Sequence, residues 1–103
     1  MLLEDARRRA EVFSRLKDYL RKAVEVVKGL DPSAEVYLFG SVAEGRWLLS
    51  SDIDVLIVTD LRPEVVISRL WEAGLSDPFE FHVIERGWLD AYRRRARLVR
   101  VDA

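Results

Sequence analysis
The sequence has no cysteine, asparagine or glutamine, one histidine and one methionine, and only 5 glycines and 3 prolines in 103 residues. Without cysteine there is no disulfide framework, thiol nucleophile or thiolate-bound zinc. No apolar run comes near the ~20 residues that span a bilayer, and the opening MLLEDARRR lacks the order of a secretory signal, so a cytoplasmic location is expected. A large charge of either sign is missing as well, since the formal net charge is -1. That balance argues against a protein that coats a polyanion, because nucleic-acid binders usually carry a positive excess; a local basic patch stays open. Repeats, low-complexity tracts and interdomain linkers are not found. At this length the chain is read as one domain, residues 1–103, with a real core and little room for a second substrate-binding module. The missing amides, the excess of arginine over lysine and the mixing of charges of both signs suit a thermophilic source.

What the chain does contain is the stretch from Gly40 to Val58, GSVAEGRWLLSSDIDVLIV. A Gly-Ser turn and a second glycine, Gly45, precede Asp52 and Asp54, which open the apolar run Val55-Leu56-Ile57-Val58, read as a buried strand. Alternate side chains of a strand share a face, so Asp52 and Asp54 are expected on one face, about 7 Å apart along the backbone, with Ile53 turned away. Two carboxylates so placed suit Mg²⁺, which takes oxygen ligands from a couple of carboxylates and fills its other positions with water and phosphate oxygens. Upstream, Tyr37-Leu38-Phe39 reads as a short strand running into Gly40-Ser41. A helix or helical turn starting there would offer free N–H groups and the Ser41 hydroxyl to a phosphate, and glycine would remove the Cβ that blocks close approach. A nucleoside triphosphate fits that combination.

These residues resemble the G-S-x-x-x-G-x(n)-S-D-x-D signature of the nucleotidyltransferase superfamily related to DNA polymerase β, through Gly40, Ser41, Gly45, Ser51, Asp52 and Asp54. In length the chain is similar to the minimal nucleotidyltransferases, small single domains often encoded beside a helical HEPN protein in prokaryotic toxin–antitoxin pairs. The resemblance implies an α/β (α+β) fold with a small mixed sheet packed against helices. It also implies ATP or another NTP as substrate, held around Gly40, Ser41, Gly45, Arg46 and Ser51, and Mg²⁺ held by Asp52, Asp54 and a third carboxylate. Relatives usually carry that third group as aspartate on a strand beside the Asp-x-Asp strand, and Glu80 is assigned to the role here. Two ions are expected, because an in-line phosphoryl displacement is stabilised better by a pair about 4 Å apart than by one.

The sequence departs from the family pattern in two places. Glu44 stands where many relatives have a basic residue, so it is expected to face solvent, with Arg46 supplying positive charge. Trp47-Leu48-Leu49 replaces residues that are often polar; such a loop either tucks under the core or forms an interface, a homodimer through Trp47 being one form of the second.

Hydrophobic spacing supplies the remaining elements. Residues 3–28 read as one long amphipathic helix, with Leu3, Ala6, Ala10, Phe13, Leu16, Leu20, Ala23, Val24 and Val27 inward, arginines such as Arg7, Arg8 and Arg9 on a solvated or docking face, and Gly29 as its stop. Pro63 is placed to open a helix over 63–73 with Val66, Ile67, Leu70 and Trp71 inward and Gly74 as its end. Asp77-Pro78 marks a turn. In the strand from Phe79 to Ile84, Phe79, Phe81 and Val83 face one way, and Glu80, His82 and Ile84 the other. Asp60, Asp77 and Glu85 compete with Glu80 but fall in turns or on the opposite parity, and His82 is read as a bystander that could touch phosphate or acceptor. The last helix, from Trp88 to about Arg97, is to bury Trp88, Leu89, Tyr92 and Ala96. Its arginines either complement the helix dipole or line a groove for ATP, RNA or an acidic partner, and LVRVDA is a short strand or a tail.

Two functions remain in view. One is an enzyme that moves a nucleoside monophosphate to an acceptor hydroxyl, by resemblance a tyrosine of a HEPN partner. The other is a nucleotide-binding scaffold or antitoxin subunit without turnover. A glycosyltransferase reading of Asp-x-Asp is disfavoured by the short chain and the Gly-Ser turn.

Overall fold
The apolar run behind the two aspartates is the most deeply buried part of the chain: Ile53, Val55, Leu56, Ile57 and Val58 are each 0% exposed. In the computed structural model, which describes residues 2–48 and 50–103, the order is α1 (Leu2–Ser14), α2 (Leu16–Leu30), β1 (Glu35–Phe39), α3 (Gly40–Ala43), β2 (Ile53–Val58), α4 (Pro63–Glu72), β3 (Phe79–Ile84), a 3-10 turn (Arg86–Trp88), α5 (Leu89–Arg95) and β4 (Val99–Arg100). The four strands form one mixed sheet in the order β3-β2-β1-β4. β1 pairs antiparallel with β2 and β4, whereas β2 and β3 run parallel, joined by the crossover through α4.

Strand alternation divides the sheet into two faces. Ile53, Val55 and Ile57 of β2, Val36 and Leu38 of β1, and Phe79, Phe81 and Val83 of β3 pack against Val12, Leu20, Ala23, Val27, Val66 and Leu70 from the helices. Tyr37, Leu56 and Val58 look the other way and are covered by Leu89 and Tyr92 of α5. Each buried aliphatic side chain contributes about 1.5–3 kcal/mol, so both faces of β2 are fixed by burial. On that second face, the part of β2 and β3 nearest Asp54 and Glu80 is less covered than the part beneath α5. Among the described residues no helix is long and apolar enough to cross a membrane.

Several expectations are corrected. The helix expected over residues 3–28 is broken at Arg15, whose φ of -125° and ψ of 35° leave helical geometry. Ser14 donates its hydroxyl back to the Glu11 carbonyl, which the Arg15 N–H shares, and such back-bonding bends helices. The two pieces keep a common apolar face, so the hydrophobic spacing carries no trace of the break. Leu3 is exposed. Gly29 lies inside α2, which runs on to Leu30 and stops at Asp31, before Pro32. Asp31 then accepts from Ser33 and from the Thr59 hydroxyl at 2.6 Å, and these bonds draw its carboxyl below the usual range.

Gly74 does end α4, with φ of 87° and the Leu75 N–H returned to the Leu70 carbonyl. Trp71 and Trp88 are not inward, being 60% and 63% exposed. Val66 and Leu70 already fill the contact stripe of α4, and Trp88 falls in the 3-10 turn ahead of α5. There it borders a cavity of about 450 Å³ with Leu61, Pro63, Ile84 and Tyr92. Trp47 does not tuck under the core; it is 43% exposed and stacks flat on Phe13, with ring centroids 4.3 Å apart. Leu48 is exposed, and Leu49 lies outside the described residues.

The last residues fold as a strand and an anchor. Asp102, with a side chain 1% exposed, accepts from the Val36 N–H at 2.9 Å and from Arg100 at 3.0 Å, and Lys28 Nζ lies 3.1 Å away. Burial alone would raise its carboxyl, but the donors of Arg100, Val36 and Lys28 outweigh it and hold the pKa at about 2, below the ordinary 3.8. The folded value is the lower one, so the contribution of roughly 2 kcal/mol is present above the unfolded value and lost as pH falls through the folded one. In thermal melts the gap between wild type and Asp102→Asn should therefore be widest near neutrality and close between pH 3.8 and about 2. A gap independent of pH would contradict this account.

Candidate active site
The parallel register sets Asp54 of β2 directly beside Glu80 of β3, with His82 next along the same face opposite Leu56. One ligand atom from each of Asp54, Glu80 and His82 lies within 4.8 Å of the other two. The imidazole Nε2 stands 3.3 Å from Asp54 Oδ1 and 3.6 Å from Glu80 Oε1. Phe39 holds the ring edge to face, with centroids 5.1 Å apart. Glu80 is the most open of the group, whereas Asp54 and His82 are about a quarter exposed at 26% and 29%.

Gly40 shapes the opposite wall. It follows Phe39, the partner of Asp54 across the antiparallel β1–β2 pair. Its φ is 78°, and a Cβ there would sit 2.5 Å from Asp54 Oδ2. Glycine is thus required twice, for the left-handed backbone and for the space that the carboxylate occupies. Gly45, with φ of 72°, makes the turn out of α3. Ser51 closes the next turn: its N–H donates to the Leu48 carbonyl and its hydroxyl accepts from the Leu48 N–H at 2.9 Å. Arg46 pairs with Glu44 at 2.7 Å, so these two charges balance each other. Ser41 lies in α3, half-buried, directly after Gly40.

Asp52 is not brought to the cluster. It precedes the strand proper, is exposed, and lies 3.8 Å from Arg9 Nη2. Arg9 also donates to the Ser51 carbonyl at 3.0 Å and to Asp77 at 2.8 Å, while Arg8 donates to the Asp77 carbonyl and the Ser76 hydroxyl. α1 therefore ties together the starts of the two parallel strands that carry the carboxylates. Arginines Arg7 to Arg9 read as a charged surface from spacing alone; only tertiary contact gives Arg9 this role. Of the competing carboxylates, Asp77 is engaged by Arg9, and Asp60 and Glu85 line the cavity at the other end of the strands. A half-buried Asp54 and an exposed Glu80 converging with an imidazole, and a glycine that leaves Asp54 room, fit a divalent cation.

The family model described as a nucleotidyltransferase domain matches residues 20–100. The chain belongs to this nucleotidyltransferase family. The nucleotidyltransferase chain is also similar to a solved structure from Sulfolobus solfataricus, described as that of a proposed nucleotidyltransferase, with 29% identity and a TM-score of 0.59 over 87% of this chain and 84% of that one. No curated protein gives a significant match. The mixed sheet and packed helices agree with that fold. In this nucleotidyltransferase, replacing Gly40 with alanine should cost about 1–3 kcal/mol, from backbone strain and the clash with Asp54. Chemical denaturation checks this; an unchanged midpoint would mean that the Asp54 carboxylate does not need that space.

Proposed function
We propose that the chain transfers a nucleoside monophosphate, with ATP the expected donor, to an acceptor hydroxyl and releases pyrophosphate. The observation that carries this reading is Asp54 set beside Glu80 and against Gly40, in a chain of the nucleotidyltransferase family. The acceptor oxygen bonds to the α-phosphorus, the bond from that phosphorus to the bridging oxygen of the β-phosphate breaks, and the acceptor proton passes to solvent. Gly40 and Ser41 hold phosphate oxygens by backbone and hydroxyl donors, and Gly45 and Ser51 keep the intervening loop in place. Asp54 and Glu80 hold divalent metal, Mg²⁺ by family resemblance, and Asp52 joins them by turning from Arg9. When bound, the metal neutralises phosphate charge and lowers the pKa of the attacking hydroxyl. Arg46 contributes positive charge only by leaving Glu44.

The acceptor is proposed to be a tyrosine hydroxyl of a HEPN-type partner, in the cytoplasm, so that transfer silences the partner.

A second reading, a scaffold that binds nucleotide and partner without turnover, is favoured by the Glu44–Arg46 pair and the exposed Trp47 and Leu48. A homodimer through Trp47 belongs to the same reading. Incubation with α-labelled ATP, divalent metal and the candidate partner separates the two. The enzyme reading expects label on the partner, at least 100-fold less with Asp54→Asn, and none after chelation. A stable complex that takes no label would favour the scaffold, and label undiminished by Asp54→Asn would remove the site assignment.

A further inference from the structure
His82 lies on the face that carries Asp54 and Glu80, and its Nε2 points at both carboxylates. The separations of 3.3 and 3.6 Å are long for a charge-assisted hydrogen bond, whose usual length is about 2.7–2.9 Å. They match another geometry. Ligands bound at about 2.0–2.2 Å to a common ion stand about 3.3–3.6 Å apart in a tetrahedral arrangement, and about 2.8–3.1 Å apart at adjacent octahedral positions. Two carboxylates placed this close to each other also repel unless a cation or proton lies between them.

We propose that His82 Nε2 is a direct ligand of the ion held by Asp54 and Glu80, so that this position prefers Mn²⁺, Co²⁺ or Zn²⁺ to Mg²⁺. The inference rests on the metal-dependent reading above and adds the identity of a ligand and a class of ion. Mg²⁺ takes oxygen donors and gives up water reluctantly, whereas imidazole suits first-row transition ions. Ligation by Nε2 places the ring proton on Nδ1, and Phe39 keeps the ring plane directed at the carboxylates. The role separates His82 from a bystander on the polar face of a strand.

The chain contains a single histidine, so an imidazole signal from tag-free protein has one source. Mn²⁺ would be titrated by electron paramagnetic resonance, and the bound ion tested for ¹⁴N coupling by electron spin-echo envelope modulation. Wild type is expected to show imidazole nitrogen coupling. In His82→Ala and His82→Asn the coupling should vanish and Mn²⁺ affinity fall at least 10-fold, while Mg²⁺ affinity, read by competition, changes less than about 3-fold. Mn²⁺ bound by wild type without nitrogen coupling would overturn the inference and leave the metal-dependent reading standing. Failure of wild type to bind either ion at millimolar concentration would overturn both.

Discussion

Parallel pairing of β2 with β3 sets residue 54 opposite residue 80, and the candidate site depends on that register. A slip of one residue would turn Glu80 and His82 into the core and bring Phe81 to the surface. Burial opposes such a slip, because the other face of β3 carries Phe79 and Phe81, stacked with centroids 5.7 Å apart over the helices. Backbone bonds fix both ends of the pair, from the Ile53 N–H to the Pro78 carbonyl and from the Thr59 N–H to the Ile84 carbonyl. Arg9 adds a clamp from outside the sheet.

The register creates a problem along with a site, since it holds two carboxylates on neighbouring strands at close quarters. His82 stands against both groups and Glu80 stays open to solvent, whereas Arg9 lies beside Asp52, outside the cluster. Gly40 brings the turn after β1 against Asp54, and that turn leads into Ser41. The Gly40–Ser41 turn and Asp54 thus come from two adjacent strand ends, β1 leaving and β2 arriving, so that an antiparallel pair brings together residues 14 positions apart in the sequence (54 minus 40).

Features governed by short-range alternation were legible in the sequence. The parity of Phe79 to Ile84, the burial of Val55 to Val58 and the stop at Gly74 follow from side-chain direction and backbone freedom, which neighbours decide. The family signature named Gly40 and Asp54, but the space that Gly40 leaves for the Asp54 carboxylate comes from the β1–β2 pairing, which no local rule contains. Features decided by distant contacts were not legible. The break at Arg15 leaves the apolar spacing intact, and Arg9, no different from Arg7 in sequence, is set apart by reaching Ser51, Asp52 and Asp77. The segment of Asp102 reads equally as a short strand or a tail, because its partners, Lys28 and Val36, are far away along the chain. His82 gained a role only when the parallel register brought it to Asp54.

The measurement that bears most directly on this account is a crystal structure of the chain grown with Mn²⁺ and an ATP analogue that resists cleavage between the α- and β-phosphates. Anomalous density touching both Asp54 and Glu80, with the triphosphate against Gly40 and Ser41, is the predicted result. Metal and nucleotide at the other end of the strands, in the cavity beside Trp88 and Tyr92, would contradict it.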